Sequence, residues 1–219
     1  MSPHTITDSL NAGGALLKGG KEGCQIIVIE QDIEKSMGAV AVAIARAMPV
    51  YISKSLSKKE EDGTGEHLVN VSYYTEEGKV VQDEDLNSAA KAGADGVRLA
   101  GRLGDMPPAE LNPETYSKEC MEIVEGLKAK GHQVEMEEIV GEELREKGYG
   151  GIYGVGMAAA VPPRMVILTY TPEGGSDVDM ESIALCGKGV VYDTGGLSLK
   201  GKAGMCGMKH GRLHRGVIL

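Results

Sequence analysis

Residues 187–204 read GKGVVYDTGGLSLKGKAG, and three charged side chains in this stretch have types and spacing suited to chemistry: Lys188, Asp193 and Lys200. The apolar run before it, SIALCG (182–187), reads as a strand that delivers Gly187 and Lys188 to its carboxyl end, where α/β proteins usually build their sites. Asp193 stands between Tyr192 and Thr194-Gly195-Gly196, and a double glycine lets backbone approach a ligand closely. A carboxylate so placed can bind a hard or borderline cation. A lysine beside it can join the same ion through a neutral amine, because a divalent charge favours the deprotonated form. Lys200, kept protonated, can polarise a carbonyl. On composition alone, the commoner arrangement of such residues is a solvated Asp–Lys pair in a loop, which is weak.

Three other stretches compete for attention. Gly196 to Ala203 spells G-x-x-x-x-G-K-A, a phosphate loop without the hydroxyl that would hold magnesium. Tyr192-Asp193-Thr194 separate it from any preceding strand, and AGMCGMKHG after it is a poor helix start. GVGMAA (154–159) resembles a dinucleotide fingerprint, but GGIY before it is a poor strand, so a close-packed glycine turn is expected there. HGRLH (210–214) offers two histidines at the i, i+4 spacing of a zinc site. Gly211 weakens that helix and no third ligand is near, so a solvated tail is expected.

Positioning these residues is the task of an ordinary globular chain. It has 219 residues and 42% hydrophobic residues, enough for one or two domains with a real core. Phe and Trp are absent, so the core falls to Val, Ile, Leu, Ala, Tyr and 11 Met. The net charge of -9 argues against nucleic acid and anionic membrane as partners. No apolar run has the length of a membrane span, and the N-terminus lacks a signal-peptide pattern. Cys24, Cys120, Cys186 and Cys206 are scattered, with no C-x-x-C pair, which indicates neither a structural zinc nor a disulfide framework and fits a reducing cytoplasm.

CQIIVI (24–29), a helix through EKSMGAVAVAIARAM and the strand PVYIS make a β-α-β pattern. LVNVSYYT (68–75) reads as a strand, with EEG turning into KVV. A long helix is expected from Asp83, and a second one capped by Asn112 with Pro113 in its first turn. HQVEME reads as a strand, EIVGEELREKG as a helix stopped by Gly148, and RMVILTYT (164–171) as a strand. Strands alternating with helices indicate an α/β sheet, with a domain boundary near residues 76–88.

GKGVVYDTGGLSLK resembles the metal-binding signature of the leucyl (cytosol) aminopeptidase family. VRLAGRLGDMPPAELNPETY and GYGGIYGVGMAAAVPPRMVILTYTP resemble that family's linker, first catalytic helices, glycine loop and following strand. The wording is most similar to its "probable aminopeptidase-like" eukaryotic branch, and the resemblance runs in order from about residue 85 to 210. It implies a partial N-terminal α/β domain (1–82, shortened) followed by the first part of a mixed-sheet α/β aminopeptidase catalytic domain (83–219). It implies Lys188 and Asp193 as ligands of two divalent metal ions, zinc or manganese, Lys200 as the catalytic lysine, and Met208 lining the pocket for the substrate's N-terminal side chain. The implied reaction removes the N-terminal residue of peptides, with the metals activating a bridging water and the lysine stabilising the oxyanion, in a cytoplasmic homo-oligomer that is a hexamer in the family.

The sequence departs from that pattern at Gly211, where the family's M-x-x-D-x-G-G places a liganding Asp. No Asp or Glu follows Asp193, and the family's N-T-D-x-E-G-R segment is missing. Such a change of pattern after His210 is what a frameshift, an alternative exon or a gene-model error would leave. Two of five expected ligands under-coordinate a pair of cations, so impaired activity is expected. The alternative is a non-catalytic binding or oligomer-assembly module derived from the family.

Overall fold

The computed structural model describes residues 24–29, 32–47, 69–174 and 181–209, which fall into two compact units, one through Met106 and one from Pro107. PVYIS and HGRLH lie outside the described residues.

In the first unit, strand β1 (Cys24–Ile29) leads into helix α1 (Ile33–Ala47) and strand β2 (Val69–Tyr74). β1 and β2 pair in parallel, Cys24 opposite Val69 and Ile29 opposite Tyr74. Parallel neighbours need a crossover, and α1 lies between them in sequence. The chain turns after Thr75, and Val81 N–H donates to Tyr73 O at 2.9 Å, as the EEG turn requires. Helix α2 (Glu84–Asp105) starts where Asp83 Oδ1 accepts from Leu86 N–H at 2.9 Å, with Glu84 and Asp85 at the positive end of the helix dipole. Met37 and Ala41 of α1 and Ala90 of α2 form a core with Tyr73, Val81, Leu86 and Ala94 around it. Small residues bring the helices close: a Cβ at Gly93 would lie 3.3 Å from Val42 Cγ2. The expected boundary near residue 82 precedes α2, whereas α2 packs within the first compact unit because its buried Ala90, Ala100 and Leu103 belong there.

In the second unit, helix α3 (Pro113–Ala129) opens with a capping box. Asn112 Oδ1 accepts from Glu114 N–H at 2.9 Å and Thr115 N–H at 3.1 Å, while Asn112 N–H donates to Thr115 Oγ1 at 2.9 Å. Strand β3 (Gln133–Val140) pairs antiparallel with β4 (Arg164–Thr171), Gln133 opposite Thr171 and Val140 opposite Arg164. Cys120, Val124, Val134, Ile139 and Leu144 are buried at the heart of this unit, each large apolar side chain contributing roughly 1.5–3 kcal/mol relative to exposure.

Two expectations for this unit are corrected. Glu138-Ile139-Val140 are strand, not the start of a helix, because β4 supplies partners through Arg164. The strand stops at Gly141, whose positive φ of 57° and N–H bond to Pro163 O at 2.9 Å turn the chain. Only Glu142–Glu146 then form a helix, α4, followed by Gly148 at φ 88°. GVGMAA (154–159), expected as a close-packed glycine turn, is one only in part: Gly154–Gly156 end a short helix, α5 (Gly150–Gly156), and the turn follows at Met157-Ala158. Gly156 packs so tightly that a Cβ there would sit 2.4 Å from Pro163 Cβ.

The third correction concerns SIALCG. Residues 181–201 carry neither helix nor strand, and Ile183 and Leu185 are 85% and 67% exposed. Strand composition without a neighbouring strand gives only extended chain, because a strand's stability comes from its ladder and cross-strand pairs. A four-residue helix, α6 (Lys202–Met205), closes the described chain.

Candidate active-site loop

The loop begins with a self-bonded aspartate. Asp193 Oδ1 accepts the N–H of Gly195 at 3.0 Å, a local turn that short acidic side chains favour. Gly195 and Gly196 have φ of 89° and 63°, a region that other residues rarely adopt. The return is fixed by Lys200 N–H donating to Thr194 O at 2.9 Å. That places the Lys200 ammonium 2.6 Å from Asp193 Oδ2. The same Nζ reaches Asp193 O at 3.3 Å and Met208 Sδ at 3.4 Å. Tyr192 ties the loop to α6 through a hydroxyl bond to Met205 O at 3.1 Å.

Asp193, Lys200 and Met208, three residues singled out in the sequence, therefore meet at one point. Lys188 is exposed and adds a longer-range attraction to the same carboxylate. The Lys200 hydrogen bond, then the Gly195 N–H, hold the Asp193 carboxyl below its ordinary value; partial desolvation opposes them, and the charges of Lys200 and Lys188 assist. The backbone carbonyl of Asp193 was not among the sequence candidates, and no residue type signals it. Only the loop's closure turns it towards Lys200.

The two other motifs that lie among the described residues do not form sites. No strand leads into Gly196–Ala203, and the helix after Gly201 has four residues, so the phosphate-loop geometry is missing. GVGMAA lies at the end of α5, with no strand before that helix.

Whether paired divalent cations fit is decided by the donors. Both carboxylate oxygens of Asp193 are engaged, one by Gly195 and one by Lys200. Among the described residues there is no group of three His, Cys, Asp or Glu able to hold a metal ion. Paired divalent ions need several anionic or neutral donors around them, so the described residues do not fit a two-metal centre.

Residues 98–212 match the family described as "Cytosol aminopeptidase family, catalytic domain". The chain is 39% identical over 196 residues to the human "Probable aminopeptidase NPEPL1", covering 88% of this chain and 34% of that protein. It is similar in structure to the apo leucyl aminopeptidase of Trypanosoma cruzi, at TM-score 0.73 and 31% identity, over 95% of this chain and 37% of that one. The leucine aminopeptidase LAP1 of Caenorhabditis elegans aligns at TM-score 0.69 and 29% identity, over 93% and 40%. The chain thus spans about a third of the length of these curated relatives.

Proposed function

This chain belongs to the cytosol aminopeptidase family, and from that premise we propose that it carries one part of a peptide-trimming site that removes N-terminal residues, with its own activity impaired. The observation that supports the reading is the meeting of Asp193, Lys200 and Met208 on one glycine loop inside the matched region. Metal dependence comes with the family. Lys188 and Asp193 are the residues of this chain that would face a metal ion, and by themselves they are too few to hold one. Lys200 would donate to the carbonyl oxygen as negative charge develops there, and Met208 would line the pocket for the first side chain. The impairment follows from the donors: one carboxylate, already paired, and Gly211 in place of the expected Asp.

In this reading residues 83–219 are the catalytic-domain portion, the substrates are peptides, and the chain works in the cytoplasm within a homo-oligomer. Among the described residues no helix is long and apolar enough to cross a membrane. The test is hydrolysis of a leucyl anilide by the purified chain with added zinc or manganese. Background turnover is expected. Turnover in the ordinary enzymatic range that a chelator abolishes would refute the impairment.

A second reading, a non-catalytic binding or assembly module, is favoured by the exposed apolar side chains of Ile183, Leu185 and Leu199 beside the loop. Two tightly held ions per chain would favour a working peptidase, whereas none is expected both of the impaired peptidase and of the module.

A further inference from the structure

Asp193 has a positive charge beside it, and the chain supplies that charge from itself. An ammonium has three donors and no acceptor. Lys200 Nζ meets three acceptors: Asp193 Oδ2 at 2.6 Å, Asp193 O at 3.3 Å and Met208 Sδ at 3.4 Å. The other carboxylate oxygen is held by the Gly195 N–H at 3.0 Å. A divalent ion approaching this carboxylate meets a seated cation. It must either expel the ammonium or share the carboxylate with a like charge a few ångströms away, and both are unfavourable.

We infer that Lys200 is the resident cation of Asp193: its ammonium closes the loop from Asp193 to Met208 without a metal and competes with divalent ions for the carboxylate. The inference rests on the reading that Asp193 and Lys200 belong to one site, and it adds an order of events. Three donors already have three acceptors, so Lys200 cannot polarise a substrate carbonyl until it gives one up. Whatever brings a divalent ion or a substrate carbonyl to this site must first draw Lys200 away from Asp193.

The test uses the full chain with Mn²⁺, followed by electron paramagnetic resonance, and hydrogen exchange of the segment 190–208 without metal. Mn²⁺ prefers oxygen donors, so the exposed thiols of Cys186 and Cys206 interfere less than with zinc. Wild type is expected to bind no stoichiometric Mn²⁺ tighter than about 1 mM. Lys200→Met is expected to bind at least about tenfold tighter and to exchange faster at Gly195 and Lys200→Met's own amide. Lys200→Arg, which keeps the cation, is expected to hold Mn²⁺ binding as weak as wild type. Asp193→Asn is expected to speed exchange without any gain in Mn²⁺ affinity. Melting of each variant by circular dichroism checks folding, which the core around Cys120, Ile139 and Leu144 should preserve.

Lys200→Met matching wild type in both Mn²⁺ affinity and exchange would overturn the inference. Stoichiometric micromolar binding by wild type would overturn it too, and with chelator-sensitive peptide turnover would leave the peptidase reading standing. A gain of Mn²⁺ affinity in Lys200→Met upholds the inference whatever the turnover, because the peptidase reading already expects no more than background.

Discussion

Gly195→Ala probes the loop at its tightest point. A Cβ there would lie 2.3 Å from Ser198 O and 3.1 Å from both Lys200 Cγ and Lys200 N. The first contact is with backbone, so it cannot be relieved by turning a side chain. The residue also has φ 89°, a conformation that costs a non-glycine residue roughly 1–2 kcal/mol. Relieving the clash by shifting the backbone adds about as much again, for a total of about 2–4 kcal/mol. This cost falls on the loop, because its atoms are largely exposed and no residue of the buried core lies within it. The Lys200 N–H to Thr194 O bond, 2.9 Å long, is the reporter. Its exchange protection should fall by about 30-fold or more, since 2 kcal/mol corresponds to that factor, while the melting temperature stays within about 2 °C of wild type. Protection at Lys200 equal to wild type would refute the claim that the positive-φ glycine closes the loop, and with it the ground for bringing Lys200 to Asp193.

Other outcomes follow from the second unit. Asn112→Ala removes an acceptor shared by Glu114 and Thr115 N–H and should cost about 1 kcal/mol, read as a lower urea midpoint with unchanged slope. Leu144→Ala empties a site with 0% exposure and should cost about 2–5 kcal/mol, enough for chemical denaturation to show a much earlier transition. For Glu138, desolvation pushes the carboxyl up, but the approach of the Ser117 hydroxyl and the Arg164 bond and charge outweigh it and hold it below 4.5. The Arg164 bond is 2.7 Å long, while the buried Ser117 Oγ does not meet strict hydrogen-bond geometry. A depressed folded value means that this stabilisation is present above pH 4.5 and lost as pH falls through the folded value. Glu138→Gln should therefore flatten the acid limb of the stability curve, and an unchanged limb would discount the pair.

What could be read in advance divides along physical lines. Asn112-Pro113 announced a helix start because capping is local chemistry, and the cap formed as expected, with Thr115 completing a box that was not foreseen. RMVILTYT and CQIIVI were legible from β-branched runs. SIALCG carried the same composition and made no strand, because pairing depends on a neighbour that composition does not encode. Glu138-Ile139-Val140 went the other way: a helical pattern was overridden by the register with Arg164, Met165 and Val166. In GGIYGVG the glycines disguised a helical turn set by backbone bonds such as Met157 N–H to Tyr153 O at 2.8 Å. At the loop, Asp193 and Lys200 were legible as chemistry. An Asp–Lys pair in a loop was also the commoner arrangement expected from composition, and the pair formed; which lysine makes it was not legible, since that depends on the fold-back fixed at Thr194.

The loop has one further property. Its two ends are pinned at Thr194 and Lys200, and Leu197 stands fully in solvent at the tip. No helix or strand intervenes between that leucine and the ion pair. The apolar tip and the charged base are thus parts of one seven-residue closure, Thr194 to Lys200, and a ligand that bent the tip would strain the same backbone bond that seats the ammonium.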